Sequence, residues 1–264
     1  MKRLSATIAL LACLCLPAGA RADFGIVSPD AAVTEADGSP ATQAGSHPFA
    51  LTDSFELNYS GEGSQAFPEG RLKDALLAQM PGLVGDTTAY PRCSTVDFLE
   101  NHCPDDTAIG VTASALTEPD GWNGAAVYNL VPPPGALVRL GFHVVAVAIT
   151  VDVRLEHSPP YAPLAAARNI PQSLNVFANK TQLWGDPSDP AHDALRGSCY
   201  AQANVKAAHA SEFEFEDENG GSCPVARNPK PFLTLPTRCA GANPTTFALD
   251  SYEAPGSYLP DGFP

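Results

Sequence analysis

Positive charge is scarce in this chain, and so are the signatures of catalysis. Fifteen Lys and Arg side chains stand against 29 Asp and Glu, a formal charge of −14. Such a chain repels nucleic acid and anionic lipid, which argues against both as partners. No Gly-x-Ser-x-Gly elbow, His-Glu-x-x-His pair or Gly-x-x-x-x-Gly-Lys loop occurs, so the common hydrolase, metalloprotease and nucleotide-binding motifs are missing. Neither Cys-x-x-Cys nor His-x-x-x-His occurs, which removes the usual zinc frames. His47, His102, His143, His157 and His209 are scattered and define no catalytic set by spacing. After the first few residues no apolar run approaches the ~20 needed to span a bilayer. Long uninterrupted helices are disfavoured by 26 prolines and 21 glycines, which instead demand many turns.

What is present begins with Met1-Lys2-Arg3, a basic start. An apolar stretch from Leu4 to Leu16 follows, then Pro17 and the small residues Ala18, Gly19, Ala20 and Ala22. This is the layout of a secretory signal peptide over residues 1–22. It predicts a secreted or cell-surface protein, in a compartment where disulfides persist. Removing the leader takes Lys2, Arg3 and Arg21 and no acid, leaving 12 basic and 29 acidic side chains and a formal charge of −17. The 44% apolar content is enough for a packed core. Five cysteines stay: Cys93, Cys103, Cys199, Cys223 and Cys239. Cys93 and Cys103 are expected to pair across a short polar segment, closing a loop worth roughly 2–3 kcal/mol. Spacing selects no pair among Cys199, Cys223 and Cys239, and the odd count leaves one without a partner inside the chain.

Residues 23–44 show no periodicity and read as an extended N-terminal arm. From residue 45 to 256 the pattern is of short strands. The clearest is Ala148–Glu156, where Ile149, Val151, Val153 and Leu155 alternate with Thr150, Asp152, Arg154 and Glu156. A period of two over that length predicts a strand with one buried face. Further strands are expected around Phe49–Tyr59, Thr107–Leu116, Ala126–Val131, Tyr161–Arg168, Leu174–Leu183, Glu212–Phe215, Pro231–Leu235 and Thr245–Tyr252. Ser94 caps a helical turn at Thr95–Leu99, and Asp189 with Pro190 opens another that stops at Gly197. The expected fold is all-β: β-sandwich-like antiparallel sheets with short helical turns and disulfide-held loops. A split into two smaller sandwiches near Tyr161 is the alternative. Residues 257–264 read as a disordered tail, where the chain is expected to be truncated.

The densest polar cluster runs from Trp184 to Asp193. Asp186, Asp189, His192 and Asp193 are the candidate metal ligands, and their hard oxygens suit calcium. The favoured reading of the same residues is structural, Asx turns and a helix cap, because Asp and Pro in turns need no ion to explain them. Two other matches are decoys. Gly61-Glu62-Gly63 precedes Pro68 with no helical pattern after it. Asp217, Asn219 and Gly220 lack the first and last ligands of a calcium loop.

Several blocks in fixed order resemble the N-terminal module of long secreted or cell-surface β-repeat proteins of high-GC Gram-positive bacteria. They are Gly45-Ser46-His47-Pro48-Phe49, Pro81-Gly82-Leu83-Val84-Gly85, Pro91-Arg92-Cys93, Val127-Tyr128-Asn129-Leu130-Val131-Pro132-Pro133, Trp184-Gly185 through His192-Asp193, and Pro231-Phe232-Leu233-Thr234-Leu235-Pro236. The resemblance implies a β-rich module that continues into further β-modules, and it implies no activity. A segment missing after Glu253 would also supply a partner for the odd cysteine. The function expected at this level is a non-catalytic structural or adhesive module contacting an extracellular glycan or protein, not an enzyme. The alternative is a secreted hydrolase or carbohydrate-binding protein assisted by calcium.

Overall fold

The computed structural model describes residues 24–195, 230–238, 241 and 243–258. The leader, the expected strand Glu212–Phe215, Cys199, Cys223, Cys239 and most of the tail lie outside the described residues.

The chain is all-β, as its alternation predicts. The strands are β1 (Asp30–Thr34), β2 (Ala50–Glu56), β3 (Tyr59–Ser60), β4 (Phe67–Pro68), β5 (Leu72–Ala78), β6 (Val84–Gly85) and β7 (Ala108–Ala115). They continue as β8 (Trp122–Leu130), β9 (Val138–Val144), β10 (Val147–Leu155), β11 (Pro163–Ala167), β12 (Ala178–Trp184), β13 (Leu233–Thr234) and β14 (Thr246–Ser251). Ten of them form one sheet in the order β1-β2-β12-β7-β8-β9-β10-β11-β5-β14. Every pairing in that sheet is antiparallel.

The sheet curls on itself. Gln79, one residue beyond β5, donates from Nε2 to Asp53 Oδ2 on β2 at 2.5 Å. Those strands stand second from opposite ends of the sheet. The curl therefore makes an incomplete barrel whose seam lies between the free edges of β1 and β14. Alternation sorts side chains between its two faces. On β10, Ile149, Val151 and Val153 point inward, while Asp152 on the outer face holds Arg139 of β9 through two bonds of 2.7 and 2.9 Å.

A second layer covers the outside of β7, β8, β9 and β12, which gives this side its sandwich character. The Cys93–Cys103 disulfide forms as expected and closes a loop carrying α1 (Thr95–Leu99). Ser94 Oγ accepts from the Asp97 N–H at 3.1 Å, the predicted cap. Phe98, fully buried, lies over β8 and β9. Gly141 lets it approach, because a Cβ there would run into Leu130 and the Phe98 ring. Val111, Tyr128 and Trp184 complete this outer core. One end of the barrel is covered by the small sheet of β6 and β13, which brings Phe232 and Leu233 against the interior.

The structure departs from the sequence reading in the arm, in the domain division and in two strands. The arm of residues 23–44 is extended but held: β1 pairs with β2 along its whole length, and Ile26 bridges to Leu57. No division falls near Tyr161, because β10 and β11 pair across it within the single sheet. The strand β9 was not expected, nor was β5. The β5 sequence, Leu-Lys-Asp-Ala-Leu-Leu-Ala, is made of helix formers, and pairing with β11 and β14 on both sides overrides that propensity.

Candidate functional site

The cluster singled out in the sequence is a turn. Asp186 Oδ1 accepts from the Tyr90 hydroxyl at 2.5 Å, from the Ser188 N–H at 2.9 Å and from Ser188 Oγ at 2.6 Å. Burial, then the bond to Asp186, raises the Tyr90 hydroxyl above its ordinary pKa and keeps it a donor. Asp189 Oδ1 accepts from the Ala191 N–H at 2.9 Å, capping the 3-10 turn Pro190–Leu195. The His192 ring is fully buried between Phe49 and Trp184, with centroids at 4.2 and 4.9 Å. The Asp193 side chain lies outside the described residues. Among the described residues no group of three or more His, Cys, Asp or Glu side chains is placed to hold a metal ion. Asp186 thus ties β12 to the segment carrying Tyr90. Asp186→Ala is expected to lower stability by roughly 1–3 kcal/mol, equally in calcium and in chelator. A loss seen only with calcium in melting curves would restore the ion.

Chemistry concentrates instead inside the barrel. Every strand from β7 to β12, together with β2 and β5, sends side chains into one interior cavity of about 190 Å3. Its wall is aliphatic and aromatic: Phe55, Leu140, Phe142, Ile149, Val151 and Leu183 are typical. At the ~24 cal/mol per Å3 found for cavities left by core truncation, such a void forgoes about 4–5 kcal/mol of packing.

One arc of this wall is polar. Asp53 and Thr181 are direct cross-strand neighbours on β2 and β12, and Thr112 of β7, opposite Thr181, buttresses them without lining the cavity. Asn179 and Ser114 form the next row. Within this arc the bonds are internal. Asn179 Nδ2 donates to Thr112 Oγ1 and Ser114 Oγ at 3.0 and 2.9 Å, and Thr181 Oγ1 donates to Asn179 Oδ1 at 3.0 Å. Gln79 is engaged at both ends, donating to Asp53 and accepting from Thr245 Oγ1 at 3.2 Å. Asp53 Oδ1 is different: it is buried and accepts no hydrogen bond. Asp53 is also the single ionisable side chain lining the cavity among the described residues. Burial pushes its carboxyl up to about 7, the Gln79 bond opposes this, and the charge of Asp30 adds to it.

Beside the cavity, across the seam, lies an open crevice of about 700 Å3 between β1 and the chain entering β14. Ile26, Asp30, Val33, Met80 and Phe247 line it, and Leu51 borders both spaces.

None of the five polar residues of the arc was expected from sequence. A signal was present: Leu51-x-Asp53-x-Phe55 and Asn179-x-Thr181-x-Leu183 put polar groups in phase with the apolar face of a strand, where alternation should leave them out. Compared with known proteins, the chain matches no family model, no curated protein and no solved structure.

Proposed function

We propose that this chain is an exported, non-catalytic binding module whose barrel holds a small apolar molecule. The observation that carries this is the aliphatic cavity lined by eight of the ten strands of the sheet, kept open at a packing cost the surrounding strands could have avoided by larger side chains. A concave, mostly apolar space with a few placed polar groups is what small-ligand sites have in common. The leader, the acidic composition and the resemblance to secreted surface modules support an extracellular setting. There a contact role at the cell surface and ligand capture are compatible, the first using the outside of the barrel and the second its interior.

The test is binding of propylbenzene, measured by calorimetry, to the wild-type chain and to Ala165→Phe. Ala165 on β11 faces the cavity, so the larger ring occupies the same space. Wild type is expected to bind, and Ala165→Phe to lose binding while keeping its melting temperature. Ala165→Leu, a milder filling, is expected to weaken it. No binding to wild type, or equal binding to all three, overturns the proposal.

A further inference from the structure

We propose that the ligand of this cavity is a small hydrophobic amine, its ammonium group donating to Asp53 Oδ1 and its apolar body lying along the wall formed by Leu140, Phe142, Ile149 and Val151.

This rests on the binding-module reading and adds the ligand's chemistry. The cavity offers one group with unused bonding capacity, a carboxylate oxygen buried in the wall with no hydrogen bond. A carboxylate can only accept, so its complement is a donor. Among the described residues no cation meets it. Thr181 of β12 and Ala31 of β1 flank Asp53 in register, and Gln79 reaches it from β5. The charge that acts on it is another anion, Asp30. A buried anion without a counter-charge is costly, and a ligand that brings the cation removes that cost. Neutral donors lack this advantage. The chain's formal charge of −14 attracts cations towards the barrel as well.

Size follows from the volume. A cavity of ~150 Å3 takes up benzene. About 190 Å3 then suits a ligand of roughly eight non-hydrogen atoms, and 2-phenylethylamine, one atom larger, probes its upper limit.

The experiment is calorimetric titration of the purified chain with 2-phenylethylamine, 2-phenylethanol and propylbenzene, at pH 5.5 and pH 8, repeated on Asp53→Asn. An alkylamine stays protonated over this range, near the ~10.4 of lysine. The Asp53 carboxyl, titrating at about 7 in the free protein, must ionise to pair with it. The amine is therefore expected to bind at least tenfold more tightly at pH 8 than at pH 5.5. Asp53→Asn is expected to lose at least tenfold in amine affinity at pH 8, with propylbenzene unchanged. Propylbenzene binding without a preference for the amine overturns the amine assignment and leaves the cavity reading standing. So does tighter binding of 2-phenylethanol than of the amine. Failure of all three ligands to bind wild type overturns both.

Discussion

Asp53→Asn is expected to make the free protein more stable at pH 8 by about 4 kcal/mol and to leave its stability near pH 4 almost unchanged. The carboxyl titrates at about 7 in the fold against 3.8 in the open chain. Between those values the folded state holds a proton that the unfolded state has released, so stability falls as pH rises through that window. Three units at ~1.4 kcal/mol each give the figure of about 4 kcal/mol. Asn keeps an acceptor for the Gln79 amide and carries no charge to desolvate. Other carboxylates have the opposite dependence: hydrogen bonds from Thr88 hold Asp86 below its ordinary value. The measured quantity is therefore the difference between variant and wild-type denaturation curves across pH 4–8. A difference that does not change with pH would mean that Asp53 ionises freely in the fold. The same substitution removes the proposed amine contact, so one residue is expected to trade stability against binding, as charged groups in binding sites do.

The parts of the fold that were legible are those where local chemistry and tertiary role agree. The β10 strand alternates cleanly because one face meets the cavity wall and the other meets solvent. Ser94 and the Cys93–Cys103 loop follow from capping and loop closure alone. The strand β5 was hidden because its helix-forming residues are held extended by neighbours on both sides, which no local window contains. The barrel was hidden for a related reason. That β2 and β5 meet across the interior depends on a twist accumulated over ten strands, and the Asp53–Gln79 bond spans 26 positions. The Asp186–His192 cluster drew attention because carboxylates crowd there in sequence. In space, Asp186 turns to Tyr90 and Ser188 while His192 packs between aromatic rings. Density of polar residues along the chain marked a turn, whereas the polar arc beside the cavity is assembled from three separate strands, β2, β12 and β7.

Gly185→Ala is expected to be among the most destabilising single substitutions in the chain, by at least about 3 kcal/mol. Gly185 follows β12 where three segments meet. Its N–H donates to the Phe49 carbonyl at 2.7 Å, and its carbonyl accepts from Phe232 N and Leu233 N at 2.6 and 3.1 Å. A Cβ there would overlap the Pro48 carbonyl, which is backbone and has no rotamer to change. Relief requires moving either β12 or the segment entering β2. The first displaces Trp184 and the second Phe49, the two rings that enclose His192. Either shift also loosens Phe232 and Leu233, which close one end of the cavity. Gly38 supplies the control. Its φ is +81° with open space around the Cβ position, so Gly38→Ala carries only the left-handed backbone cost of roughly 1–2 kcal/mol. At roughly 2–4 °C per kcal/mol for a domain of this size, Gly185→Ala should melt at least ~6 °C below wild type and further down than Gly38→Ala. It should also lose propylbenzene binding at temperatures where it remains folded, which Gly38→Ala should not. A Gly185→Ala protein that melts with wild type would show that the Pro48 carbonyl can move aside, and that the closure of the barrel end does not depend on this contact.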